Sequence, residues 1–127
     1  MFSFNSYART EPDHSDSLLR DRIFSFPLSQ LLDVIRLVAD HLPRCRFVSY
    51  NRDKGEVHIE RHTPLIPFTD DIYLYLRDVE KGVLLWGHSA SRIGSWDLGV
   101  NGRNLRIILG ELDRQADNAI LSKALVD

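Results

Sequence analysis

Ile72-Tyr73-Leu74-Tyr75-Leu76-Arg77-Asp78-Val79-Glu80-Lys81-Gly82-Val83-Leu84-Leu85-Trp86-Gly87-His88-Ser89-Ala90-Ser91 is the stretch on which the fold turns. Ile72, Leu74 and Leu76 alternate with Tyr73, Tyr75 and Arg77, the period of a strand with one buried face. Asp78–Gly82 reads as a turn and Val83–Ser91 as the next strand. A connection this short joins antiparallel neighbours, because parallel strands need a crossover of a dozen or more residues. The end of the second strand, from Gly87 to Ser91, is small and unusually polar.

Toward the N-terminus, Glu56–His62 alternates too, Val57 and Ile59 against His58 and Glu60. Arg52-Asp53-Lys54-Gly55 is a turn with Gly55 at a left-handed position, and Arg46–Asn51 is the strand before it. Pro64 and Pro67 interrupt any ladder, so Thr63–Thr69 is a loop or a bent sheet edge. Further back, Leu28, Leu31, Leu32, Ile35, Val38, Ala39 and Leu42 fall on one helical arc, opposite Asp33, Arg36 and Asp40. Pro27 suits the first turn of that helix and Pro43 closes it. Met1–Arg22 is polar and without period, which predicts an extended or partly disordered segment.

Toward the C-terminus a second helix is expected from about Ser95 or Asp97 to about Arg114, with Leu98, Leu105, Ile108, Leu109 and Leu112 on its core face. Asp117–Asp127 adds a short amphipathic turn through Ile120, Leu121, Ala124 and Leu125. The order α-β-β-β-β-α predicts an α+β fold: a single four-stranded antiparallel sheet with two helices packed on one face. The expected organisation is a polar N-terminal segment over 1–24, the α+β domain over 25–116 and a C-terminal tail over 117–127.

Composition narrows the function. The chain has 127 residues, 16 Lys+Arg against 18 Asp+Glu, and a net charge of −2. One domain is expected at that length, and it needs no disulfide or metal staple. A slightly acidic chain does not capture nucleic acid by its field, so no nucleic-acid partner is expected. Cys45 is the single cysteine and can form neither an internal disulfide nor a metal cluster. Apolar runs such as Val83–Trp86 are far short of the ~20 residues that span a bilayer. With Met1 as the natural start, and no secretory signal after it, a cytoplasmic location is expected.

The densest chemistry lies at the strand-to-helix junction, Ser89-Ala90-Ser91-Arg92-Ile93-Gly94-Ser95-Trp96-Asp97-Leu98-Gly99-Val100-Asn101. Gly94 and Gly99 permit backbone conformations that other residues avoid, and Ser95 or Asp97 can cap a helix. Free N–H groups there, beside Arg92, form a cradle for a phosphate or carboxylate; alternatively Arg92 pairs with Asp97 and locks the turn. Asn101 falls about 60° round from Leu98 at 100° per residue, between Leu105 and Ile108 on the apolar arc. A buried amide there needs a partner, from strand backbone or the Arg92 loop. Val100 and Ile107, on the opposite face beside Arg103 and Arg114, offer a partner surface.

Other candidates are thinner. His58 and His62 share a strand face about 13 Å apart at 3.3 Å per residue, too far to ligate one metal, and no metal or cofactor is expected. His88 shares a face with Trp86 and could serve as a general base for a group held by Arg92. Asp70 and Asp71 are adjacent, so they point to opposite faces and cannot act as a paired acid and base. Tyr73, Tyr75, Trp86 and His88 could line an aromatic wall, open to a ligand or covered by the N-terminal segment. No P-loop, dinucleotide fingerprint, nucleophile elbow or zinc motif is present.

The junction also resembles a known family. Ser89, Ser91, Arg92, Gly94, Asp97, Gly99 and Asn101 match the Ser-x-Ser-Arg-x-Gly-x-x-Asp-x-Gly-x-Asn signature of the domain of unknown function 1499 family. Leu42-Pro43-Arg44 and Phe68-Thr69-Asp70-Asp71 resemble two weaker family stretches. The likeness runs over roughly Pro27–Leu112, with a looser echo around Tyr7–Ile23. Cys45 stands where the family often has Trp. Many relatives look secreted or membrane-attached, and this chain shows no such segment. The family implies a fold and a site location but brings no established activity.

The expected function is a non-enzymatic binding or accessory module. Ser91, Arg92, Gly94, Ser95, Asp97 and Asn101 are its ligand-binding residues, and a small anionic ligand or an acidic protein segment is its partner. The alternatives are a small enzyme using His88, Arg92 and Asp97, and a structural subunit of a larger complex; the sequence leaves the oligomeric state open.

Overall fold

A computed structural model of the chain describes residues 7–62, 68–92 and 100–126, with the side chains of the last helix followed as far as Asp117. The elements in order are β1 (Tyr7–Arg9), a 3-10 turn (Ser17–Leu19), β2 (Arg22–Phe24), α1 (Leu28–His41), β3 (Cys45–Asn51), β4 (Glu56–His62), β5 (Thr69–Val79), β6 (Gly82–Ser91) and α2 (Val100–Val126). The class is α+β, and the four central strands and α1 lie within a few residues of their expected places.

The sheet has six strands rather than the expected four. Strands β3 to β6 form an antiparallel meander in the order β6-β5-β4-β3. The two extra strands come from the N-terminal segment, which is ordered from Tyr7 onward as the outer edge of the sheet. β1 pairs antiparallel with His88–Ala90 and β2 with Val83–Leu85, so the segment supplies one edge in two pieces. Between the pieces Thr10 exchanges two bonds with Gly87: its N–H donates to the Gly87 carbonyl at 2.8 Å, and its hydroxyl accepts the Gly87 N–H at 2.9 Å. Three-residue strands are too short to show a period, and their hydrogen-bond partners lie about eighty (β1) and about sixty (β2) residues away in sequence.

Alternation along the strands sorts the side chains. Val57, Ile59, Ile72, Leu74, Leu76, Val83 and Leu85 are buried against Leu31, Ile35, Val38 and Ala39 of α1 and Leu105, Ile108, Leu109 and Leu112 of α2. Leu19, Phe24 and Phe26 close this core at the N-terminal edge. Arg22 fastens that edge to α2, donating to Asp113 at 2.9 Å and to the Leu18 carbonyl of the 3-10 turn at 2.7 Å. Gly55 sits at φ 62, the left-handed conformation expected for it, and its carbonyl accepts the Leu76 N–H at 2.8 Å.

α2 is one helix to Val126, where the sequence suggests an end near Arg114 and a separate turn. Residues 111–126 contain no Gly or Pro and include several strong helix formers, so nothing stops propagation. The expected helix start at Ser95 or Asp97, and the core residue Leu98, lie outside the described residues.

Candidate functional site

The face of the sheet opposite the helices carries the chemistry. Strand register lines its side chains into cross-strand rows. His58, Tyr73 and His88 are consecutive neighbours across β4, β5 and β6, as are Glu56, Tyr75 and Trp86. The rings touch along and between these rows. His58 stacks on Tyr73 at 4.6 Å between centroids, and Tyr75 on Trp86 at 5.5 Å. His88 sits in the middle, 5.2 Å from Tyr73, 5.7 Å from Tyr75 and 5.5 Å from Tyr7 of β1. Such spacings are those of favourable aromatic pairs.

The array perturbs its own ionisation. Burial holds the His88 imidazole below its usual range and therefore neutral at pH 7. Burial, reinforced by Glu56, pushes the Tyr75 hydroxyl up to about 12. A groove of about 610 Å³ runs beside the rings, lined by Tyr7, Thr10, Glu11, Tyr75, Trp86 and His88 among others. The N-terminal segment therefore builds one wall of the groove and adds Tyr7 to the aromatic face.

Toward the end of β6 the same face becomes ionic. Arg92 donates through Nε to Asp71 Oδ2 at 2.9 Å, and through Nη2 to Asp71 Oδ1 at 2.9 Å and Glu60 Oε1 at 2.5 Å. The other Glu60 oxygen accepts Arg46 Nη2 at 2.7 Å, and Asp71 Oδ1 also lies 2.7 Å from His58 Nε2. Hydrogen bonds from Arg46 and then Arg92 hold the Glu60 carboxyl below its ordinary range. Arg92, with a smaller contribution from His58, does the same for Asp71. The two carboxylates in turn raise the Arg92 pKa. Ligand atoms of His58, Glu60 and Asp71 lie within 4.8 Å of one another, but Arg92 and Arg46 already supply cations to both carboxylates.

On the helix side the same strand ends form a second polar network. Ser89 Oγ donates to Asn101 Oδ1 at 2.5 Å, and Asn101 Nδ2 donates to Ser91 Oγ at 3.0 Å. One turn along α2, Asn104 Nδ2 donates to Asp70 Oδ2 at 2.7 Å, and Asn104 Oδ1 accepts Arg61 Nη1 at 3.0 Å. Ser89 and Asn101 are fully buried, and Asn104 and Asp70 nearly so. These bonds satisfy amides and hydroxyls that would otherwise be stranded in the core.

The residues expected at the junction thus divide between the two faces. Ser91 and Asn101 meet on the helix side. Arg92 reaches the other face, where its partners are Glu60 and Asp71. Gly94, Ser95 and Asp97 lie outside the described residues, and with them the expected Arg92–Asp97 pair. Asn101 is buried, as expected, and among its partners are the hydroxyls of Ser89 and Ser91 on β6. Val100 and Ile107 are half-buried. Asp70 and Asp71 do point to opposite faces and take different partners.

Glu60 and Asp71 escape notice as partners of Arg92, and His58 as a partner of Asp71, because only strand register brings them together. Asn104 could have been found, since it adjoins Asn101 and Leu105 on the apolar arc. Cys45 gains no reactivity here, as burial raises its pKa against the pull of Arg61 and Arg44.

Among the described residues no helix is long and apolar enough to cross a membrane. Comparison with curated proteins returns no match. The family described as "Protein of unknown function (DUF1499)" matches residues 9–112, which takes in β2 through β6, both helices' core faces and most of the N-terminal edge. On that match the chain belongs to the DUF1499 family.

Proposed function

We propose that the chain is a non-enzymatic binding module that receives a ligand with a flat apolar face on the aromatic side of its sheet. The ring array carries this reading: Tyr7, Tyr75, Trp86 and His88, each half-buried or exposed, line a groove of about 610 Å³, and Tyr73 packs on His88 behind them. Binding sites pair such apolar surface with a few placed polar groups. Arg92 would be that polar group, anchoring an anionic or hydrogen-bonding edge of the ligand or an acidic segment of a protein partner. To do so it would exchange one of its bonds to Asp71 or Glu60, and its 46% exposed side chain makes that exchange accessible.

Native mass spectrometry of the protein isolated gently from its source tests the reading. The expected result is a retained small mass, lost in both Tyr75→Ala and Trp86→Ala and kept in Arg114→Ala. A retained mass indifferent to both ring substitutions would refute the aromatic site. A chain that retains no small mass and is found only within a larger complex would favour the accessory-subunit reading instead.

One observation favours a second reading, acid–base chemistry. The imidazole that the fold brings beside the Arg92 network is His58, held through Nε2 by Asp71 at 2.7 Å, whereas His88 is enclosed by tyrosine rings. A carboxylate-oriented imidazole is the arrangement a general base requires. Should any turnover be found, its survival in His58→Gln would remove this reading.

A further inference from the structure

We propose a second binding site, on the helix side of the sheet at the head of α2, for a small oxyanion of the phosphate class. Arg44, Arg61 and Arg103 line a cavity of about 180 Å³ together with His62, Asp70 and Asn104. That is the size of a pocket for a single anionic group rather than for an extended ligand. Among the described residues none of the three guanidiniums forms an ion pair. Among the described residues Asp70 is the one carboxylate in the lining, so three arginines there face one negative charge. Asn104, 2% exposed, holds Asp70 at 2.7 Å and Arg61 at 3.0 Å, and so keeps the carboxylate and the guanidinium in fixed places.

Two further features point the same way. Val100, in the first turn of α2, also lines the cavity, so the positive end of the helix dipole adds to the guanidiniums. Arg44 adopts φ 61, the left-handed region that non-glycine residues rarely occupy. That backbone turn brings its side chain across to His62, whose carbonyl accepts Arg44 Nε at 3.1 Å, and so into the cavity wall. A strained backbone retained on a charged residue is a recognised mark of a functional position. Guanidinium groups match the oxygens of phosphate in pairs, and the net charge of the lining suits a phosphate dianion. This site is distinct from the aromatic face and does not depend on it.

The test is calorimetric titration of the full chain with inorganic phosphate at constant ionic strength. The expected result is saturable one-to-one binding, weakened about ten-fold or more in Arg44→Gly and in Arg103→Ala, the loss expected for one charged hydrogen-bond donor. Arg44→Gly suits the left-handed backbone and should fold at least as stably as the parent, so lost binding in it reports the guanidinium. Arg114→Ala, elsewhere on α2, should bind as the parent does. Absence of saturable binding, or equal binding by both variants, would overturn the proposal. Phenyl phosphate in parallel separates the sources: equal or tighter binding assigns a phosphate ester, and exclusion assigns the free ion.

Discussion

Replacing Asn101 by Leu removes the amide that ties α2 to β6 while keeping a side chain of similar volume. The fully buried Ser89 hydroxyl, which donates to Asn101 Oδ1 at 2.5 Å, would lose its acceptor, and the half-buried Ser91 would lose a donor. A buried polar group left unsatisfied costs about 1–3 kcal/mol, and Ser91 can recover part of its loss from water. The expected destabilisation is therefore about 2–4 kcal/mol, a large share of the roughly 5–15 kcal/mol that holds a domain together. Urea unfolding followed by circular dichroism should show a lower midpoint with an unchanged slope. A Ser89→Ala partner completes a double-mutant cycle. Removing both groups strands neither, so the double variant should be less destabilised than the sum of the singles by about 1 kcal/mol or more. A neutral or stabilising Asn101→Leu, or strict additivity in the cycle, would refute the hydrogen-bond reasoning.

Gly87→Ala should destabilise the β5–β6 hairpin by about 1–3 kcal/mol in the same assay, because the new Cβ would stand 2.6 Å from the Tyr73 carbonyl oxygen and 2.7 Å from Leu74 Cδ2. Arg22→Ala strips the bonds joining β2 to Asp113 and the 3-10 turn, and limited proteolysis should then cut within residues 10–21 much sooner than in the parent. Glu60 and Asp71 have folded pKa values below their unfolded ones, so their stabilisation is complete above the ordinary carboxylate range and is lost as pH falls from that range through the lowered folded values. Arg92→Leu should therefore flatten the acid limb of a stability–pH profile, and an unchanged limb would count against the network. His88, with its pKa lowered by burial, adds a separate loss of stability as pH falls below about 6.5, which His88→Phe should abolish.

Local pattern determined much of this molecule. The arc from Leu28 to Leu42, the two-residue period of Ile72–Arg77 and the Gly55 turn are set by neighbours in sequence, and each appears in the structure where that period or turn places it. Asn101 was legible for the same reason: a polar residue inside an apolar arc must find a partner, and the geometry of one helix is enough to reveal it. Opposite faces for Asp70 and Asp71 follow from strand pleat alone.

What tertiary structure alone decided depends on partners distant in the chain. β1 and β2 exist because β6 offers an unpaired edge, and segments of three residues are too short to carry a sign of that. The ion pairs of Arg92 with Glu60 and Asp71 arise from the register of three strands, which a shift of one residue would undo. The cavity of Arg44, Arg61 and Arg103 collects single arginines from a turn, a strand and a helix, none of which stands out in its own segment. Sequence periodicity assigns each side chain to a face; only the closed sheet and the docked helix set which of those side chains meet.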